Sequence, residues 1–196
     1  MLKIIPIIIS YFLGSVPSAY LIAKNRGIDI TKKVKNGRIG TTSVIRKVGK
    51  FPGSIVALMD FCKGAMSIMI AEKLSGGETW VMIASGVAAI VGHNWSVFLR
   101  FSGGKGAAAT FGDLFYLLPV QFFLAGGVTI ILSFFLRKKK DFFSLPFKKK
   151  HIKKSNFLTF MLFILISFFA LITDFPSAYI LSPFFFCPPI LLKKNQ

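Results

Sequence analysis

The chain has 196 residues, 54% of them hydrophobic and 16% charged, with 25 Lys and Arg against 7 Asp and Glu for a net charge of +18. Long uncharged stretches alternate with basic loops, which excludes an ordinary soluble domain and a nucleic-acid binder, whose cations would coat a polar surface around a modest core. Cys62 and Cys187 each sit in an apolar stretch and form neither a disulfide scaffold nor a metal spacing, and with only His93 and His151 no histidine metal site is expected.

A helix crossing a bilayer needs roughly 20 mostly apolar residues. Leu2 to Ile22 is the first such run; it continues too far for a secretory signal and reads as a retained span. Within it, Gly14-Ser15-Val16-Pro17-Ser18-Ala19-Tyr20 supplies small residues for close packing and a proline that kinks the helix. The loop from Ala23 to Lys50 carries nine Lys and Arg and a single acid, Asp29, so the positive-inside rule places it in the cytoplasm. Phe51 to Leu74 is the second span, and it holds Asp60 and Lys63 three residues apart on one helix face. Intramembrane charges cost about 2.5 to 3.5 kcal/mol each on insertion scales, so these two must pair or face a polar cavity.

Trp80 to Leu99 is the third span, containing Gly92-His93-Asn94-Trp95, and the loop from Arg100 to Asp113 returns to the cytoplasm. Leu114 to Leu136 is the fourth, with Asn156 to Thr173 and Phe175 to Leu192 as further candidates. These runs lack the alternation of barrel strands, so the fold class is all-α, a polytopic transmembrane bundle of five or six helices by this reading. Arg137 to Lys154 carries nine basic residues, yet simple alternation of spans would send it outside, so the charge rule and the alternation rule conflict there. All 17 glycines lie at or before Gly127, whereas Lys and Phe crowd the tail. The expected division is a membrane domain over 1–136 and a divergent region over 137–196 with one or two further spans.

The residues that look chemical lie in the two cytoplasmic loops. In Arg100-Phe101-Ser102-Gly103-Gly104-Lys105-Gly106, glycines let backbone N–H groups converge on an anion and a lysine adds a compact positive charge. It is not a Walker A sequence, which needs four residues between its glycines and Ser or Thr after the lysine. The segment Asn36-Gly37-Arg38-Ile39-Gly40-Thr41-Thr42-Ser43, followed by Arg46, combines hydroxyls, glycines and guanidinium forks. Each residue alone could be a solvated loop position or a contact to anionic lipid. Two loops of one small bundle that both suit phosphate point to an anionic substrate at the membrane surface. His93, near the second loop, is either a structural hydrogen-bonding residue or a group beside bound phosphate.

The order of motifs is itself informative: Gly14-Ser15-x-Pro17-x-x-Tyr20, Asp29-Ile30, Ile39-Gly40-Thr41-Thr42 with Arg46, Asp60-x-x-Lys63-Gly64, Gly92-His93, and Phe101-x-Gly103-Gly104-Lys105-Gly106. From about Tyr11 to Gly112 the chain resembles the bacterial acyl-phosphate:glycerol-3-phosphate acyltransferase family. The resemblance implies seven transmembrane helices in the bacterial inner membrane, active loops facing the cytoplasm, and transfer of a fatty acyl group from acyl phosphate to glycerol 3-phosphate to give lysophosphatidic acid, the first step of phospholipid synthesis. It implies no cofactor, metal or nucleic acid; the partners are the two substrates and membrane lipid. Carried over by position, Lys105 and Arg46 are the catalytic candidates. Gly103, Gly104, Gly106, Asn36, Arg38, Thr42, Ser43 and His93 are candidates for holding substrate phosphate, with Asp60 and Lys63 as an intramembrane polar pair. Two departures stand out. Where the family reads Gly-Ser-Gly-Asn, this chain, after a one-residue insertion, reads Lys35-Asn36-Gly37-Arg38, and Ile190 to Gln196 holds no counterpart of the family's C-terminal motif. The alternative reading is therefore a non-catalytic descendant, or an anion-binding transport or scaffold protein of the membrane.

Overall fold

A computed structural model describes residues 3–33, 39–138 and 164–166. Among these the regular structure is helical, apart from an isolated antiparallel bridge between Ser96 and Ser102. The helices are α1 (Ile4–Ser15), α2 (Ser18–Lys24), α3 (Ile30–Lys33), α4 (Thr41–Lys47), α5 (Lys50–Ser75), α6 (Thr79–Asn94), α7 (Ala107–Leu117) and α8 (Pro119–Lys138), with a 3₁₀ turn at Val97–Leu99. Residues up to Leu117 form one compact unit, and a second unit begins at Leu118.

The first expected span is two helices in succession. Pro17 lacks an N–H and pushes its predecessor out of the helical region, and Val16 duly adopts ψ 118°, ending α1. Taken together, Ile4–Lys24 runs 21 residues, and it and the 26-residue Lys50–Ser75 are long and apolar enough to cross a membrane. Helix α5 matches its expectation to within a residue at each end. Gly76 stops it by entering the left-handed region at φ 68°, and its N–H caps the Glu72 carbonyl.

Four expectations need correction. Trp80 to Leu99 is not one continuous helix: α6 stops after 16 residues, where Trp95 turns to φ −123°, ψ 68°. Leu114 to Leu136 is divided at Leu118 because Pro119 opens α8, its fixed φ suiting a first helical position and disfavouring helix in the residue before it. The loop expected over Arg100 to Asp113 is loop only as far as Gly106, since Ala107-Ala108-Ala109 starts α7 at once. The basic loop after α2 likewise contains the short helices α3 and α4. The spans expected at Asn156 to Thr173 and Phe175 to Leu192 lie outside the described residues except for a helical piece at Ile164–Ile166, and Arg137 to Lys154 is described only in the backbone of its first two residues.

In the first unit α5 is the hub, packing against α1, α2, α4, α6 and α7, while α1 lies along α6. That contact is backbone on backbone: a Cβ on Gly14 would collide with the Ala89 carbonyl. Val56, Ile68, Val81, Ile90 and Leu114 are fully buried between the helices, whereas Ile4, Ile8, Phe12, Leu58 and Met66 are exposed on the outer faces. Apolar residues on both sides fit lipid as the surrounding solvent. Lipid tails are as apolar as leucine, so close packing and interhelical hydrogen bonds, more than the hydrophobic effect, hold such helices together.

Candidate functional site

The break between α1 and α2 is where the site begins. Lys63, buried on α5, sends its ammonium to the break, 3.0 Å from the Val16 carbonyl oxygen and 3.4 Å from Ser18 Oγ. The same Nζ lies 2.8 Å from Asp60 Oδ1, one helical turn back on the same face. Both side chains are almost wholly buried, so each charge is matched by the other and by the backbone of the break. His93, in the last turn of α6, brings Nδ1 to 3.6 Å from Asp60 Oδ1, which places the carboxylate between two nitrogen groups. With Ser15, Ser96 and Gly103 these residues line a narrow pocket.

A tight reversal after α6 forms its lid. Ser96 Oγ donates to the Ser15 carbonyl and Tyr11 donates its hydroxyl to the Trp95 carbonyl at 3.1 Å, pinning the start of the turn to α1. The turn then passes through Arg100 and Phe101, non-glycine residues at φ 51° and 60°. The left-handed region costs such residues roughly 1–3 kcal/mol each and persists only where surrounding contacts enforce it. Here the Phe101 N–H donates to the Ser96 carbonyl at 2.8 Å and the Ser102 N–H to the Leu99 carbonyl at 3.0 Å.

The reversal lays the glycine-rich stretch on His93. The Gly104 N–H donates to the His93 carbonyl at 3.1 Å, and a Cβ on Gly103 or Gly104 would collide with His93 itself. Gly106 takes φ 78°, which favours glycine, and its carbonyl accepts from the Thr110 N–H and hydroxyl as α7 starts. Lys105 is exposed between buried Gly104 and Gly106. The Ile39 N–H donates to the Gly103 carbonyl at 3.1 Å and Gly40 abuts Gly104, so α4 starts beside the stretch, with Thr42 exposed and Ser43 half-buried in its first turn. Arg46 is exposed in the last turn of α4.

Of the expected residues, the fold therefore gathers Gly103, Gly104, His93, Asp60 and Lys63 at one point, and sets Lys105, Gly106, Thr42 and Ser43 around it. Arg46 stands on α4, one turn beyond Thr42. Asn36 and Arg38 lie outside the described residues. Sequence reasoning missed Ser18, Ser96, Arg100 and Phe101 as site-forming. The serines look like packing residues, and no local pattern marks the left-handed turn. Asp29 is a local device: Thr31 donates both its hydroxyl and its N–H to the carboxylate, and this, the hydroxyl above all, holds the carboxyl below the ordinary carboxylate value at the start of α3.

The arrangement offers an anion glycine backbone unobstructed by side chains, an exposed ammonium and, beneath them, a buried ion pair. Among the described residues no group of three or more His, Cys, Asp or Glu could hold a metal ion. Comparison with known proteins bears on the family of the chain. The sequence profile for glycerol-3-phosphate acyltransferase matches residues 4–190. A glycerol-3-phosphate acyltransferase of Thermus thermophilus is 42% identical over 114 residues, 58% of this chain and 56% of the relative. Glycerol-3-phosphate acyltransferase 1 of Deinococcus radiodurans is 41% identical over 117 residues, 60% of this chain and 58% of the relative. The matched stretch thus spans little more than half the length of these relatives. Crystal structures of PlsY, an integral membrane glycerol 3-phosphate acyltransferase, superpose with TM-scores of 0.74 in the glycerol 3-phosphate form and 0.71 in the lysophosphatidic acid form. The former is 28% identical and covers 97% of this chain and 87% of that one. With a profile match over nearly its whole length, the chain belongs to the glycerol-3-phosphate acyltransferase family.

Proposed function

We propose that this chain is a multi-pass membrane acyltransferase that moves a fatty acyl group from acyl phosphate to glycerol 3-phosphate, giving lysophosphatidic acid and inorganic phosphate. The observation that carries the reading is the glycine-rich stretch seated on His93 with Lys105 exposed at its edge and α4 starting alongside. Acyl phosphate is already activated, so the protein's task is placement: the glycerol hydroxyl oxygen bonds to the acyl carbon, the carbon–oxygen bond to phosphate breaks, and phosphate leaves with the hydroxyl proton. Cations and backbone donors lower the barrier by meeting charge as it develops on the acyl oxygen and the departing phosphate. In this reading Lys105 and Arg46 supply those cations. Gly103, Gly104 and Gly106 keep the backbone open to substrate phosphate, Asn36, Arg38, Thr42 and Ser43 hold that phosphate from the neighbouring loop, and His93 supports the cradle from beneath. Asp60 and Lys63 form the polar floor. Residues 1–136 carry the reaction, and the basic loops face the cytoplasm of a bacterial inner membrane, in line with the positive-inside rule.

A second reading is favoured by Asn36, which stands where the family has serine: a non-catalytic anion-binding membrane protein. Membranes containing this chain as their only acyltransferase, supplied with a long-chain acyl phosphate and labelled glycerol 3-phosphate, separate the two. Lipid-soluble label that depends on Lys105 establishes the enzyme. Well-inserted protein that gives no lipid product returns the second reading, and label accumulating unchanged inside sealed vesicles identifies a transporter.

A further inference from the structure

Helix α7 carries a carboxyl that the site does not use. Asp113 is fully buried at the α5–α7 crossing. The two backbones touch there: a Cβ on Gly64 would collide with the Ala109 carbonyl, and one on Gly112 with the Phe61 carbonyl. Ser67, one turn beyond Lys63 on α5 and also fully buried, has its Oγ 2.7 Å from the Gly64 carbonyl oxygen and 3.3 Å from Asp113 Oδ1.

Counting protons decides how these atoms interact. A serine hydroxyl has one proton to give, and a carbonyl oxygen can only accept. The shorter contact takes the serine proton to Gly64, so the contact to Asp113 is satisfied by a proton on the carboxyl, donated to Ser67 Oγ. Among the described residues Asp113 Oδ2 has no hydrogen-bond partner, and no Lys, Arg or His forms an ion pair with Asp113. An ionised carboxylate in that setting would be buried with neither countercharge nor donors, a far costlier state than a neutral acid with one free carbonyl oxygen.

The position of this bond gives it a role. Helix α7 begins at the residue after Gly106, and Thr110 holds the Gly106 carbonyl, so whatever fixes α7 also fixes the end of the glycine-rich stretch. On α5, Ser67 shares a face with Lys63 and so belongs to the element that carries the floor of the pocket. At the other end of α7, Tyr116 donates to Glu72, a separate tie to α5. We propose that Asp113 acts as a neutral acid that clasps α7 to α5 through Ser67, a positioning residue that seats the stretch Gly103–Gly106 over His93, Asp60 and Lys63. The consequence for substrate rests on the reading that this stretch holds the phosphate of glycerol 3-phosphate.

The test uses the full chain in lipid bilayers with Asp113→Asn, Asp113→Ala, Ser67→Ala and the double alanine variant, reading KM for glycerol 3-phosphate, kcat and thermal unfolding. An asparagine amide donates where the acid does but cannot replace a carboxylate. Asp113→Asn is expected to keep KM within about twofold of the parent. Asp113→Ala and Ser67→Ala are each expected to raise KM at least about fivefold with kcat little changed, because they displace binding groups without removing them. The double variant should be no worse than either single one. An Asp113→Asn variant as impaired as Asp113→Ala overturns the neutral-acid clasp, and so does parental KM in the alanine variants. Should Asp113→Ala fail to fold, Ser67→Ala and Asp113→Asn carry the same comparison. If the parent transfers no acyl group, the acyltransferase reading has failed, and unfolding alone judges the clasp. Asparagine rescue with non-additive losses supports it, whereas additive losses overturn it.

Discussion

Gly104 lies directly against His93, with its N–H bonded to the His93 carbonyl and its α-carbon so close to the ring that a Cβ would collide with Nε2. The glycine is therefore required for the loop to rest on the imidazole. Gly104→Ala should lift the stretch and lower kcat/KM for glycerol 3-phosphate by more than about tenfold, since small displacements of binding groups cost heavily in rate. The acyl-transfer assay with matched amounts of inserted protein checks this; parental kinetics in the variant would show that the loop accommodates a methyl group there.

Removing one member of the buried pair should be worse than removing both. Lys63→Met leaves Asp60 buried with only His93 opposite it, and is expected to lower stability by about 3 kcal/mol. Asp60→Asn combined with Lys63→Met should recover part of that loss. Thermal unfolding of the three proteins in one detergent measures it, and a double variant less stable than Lys63→Met would contradict the pairing.

Lys105 is exposed and Arg46 is exposed on α4, so neither substitution should disturb folding. Lys105→Ala is expected to reduce transfer by well over about tenfold at unchanged unfolding temperature, through the loss of the cation that the proposed function assigns to phosphate. Lys105→Arg should retain part of the rate. Near-parental transfer by the alanine variant would remove Lys105 from the cradle.

The far loop offers a pH-dependent reporter. Lys3 Nζ lies 2.8 Å from Glu78 Oε1, and Trp80 Nε1 donates to the same oxygen. The Lys3 contact first, and then that of Trp80, hold the Glu78 carboxyl below its ordinary value. A depressed folded-state value means that this contribution is fully present above the unfolded value of about 4.3 and is lost as pH falls through the lower folded value. In a Trp95→Phe background, Trp80 fluorescence should stay constant at neutral pH and change only in that acid range. Glu78→Gln should abolish the step; a step that survives this substitution would belong to another group.

Local spacing made part of the site legible. Asp60 and Lys63 share a helix face because they are three residues apart, and the glycines at 103, 104 and 106 declare their lack of side chains whatever surrounds them. The break at Pro17 and the long helix α5 follow from residue chemistry in the same way. The ends of the third and fourth spans did not follow, because hydropathy alone does not register the turn at Trp95 or the division before Pro119. The left-handed residues Arg100 and Phe101 are enforced by contacts made from both sides of the turn, and so leave no local trace.

By itself, then, the sequence determined the solvent and the groups available for a site: apolar runs demand lipid, cations mark the loops, and glycine with lysine suits an anion. Only the tertiary structure decided the assembly. It is the crossings of α1, α5, α6 and α7 that bring the Val16 carbonyl, Lys63, Asp60, His93 and Gly104 into one cluster and set Asp113 against Ser67. Those contacts join residues far apart along the chain. They depend on where one backbone can touch another, a property of packed helices that no window of sequence contains.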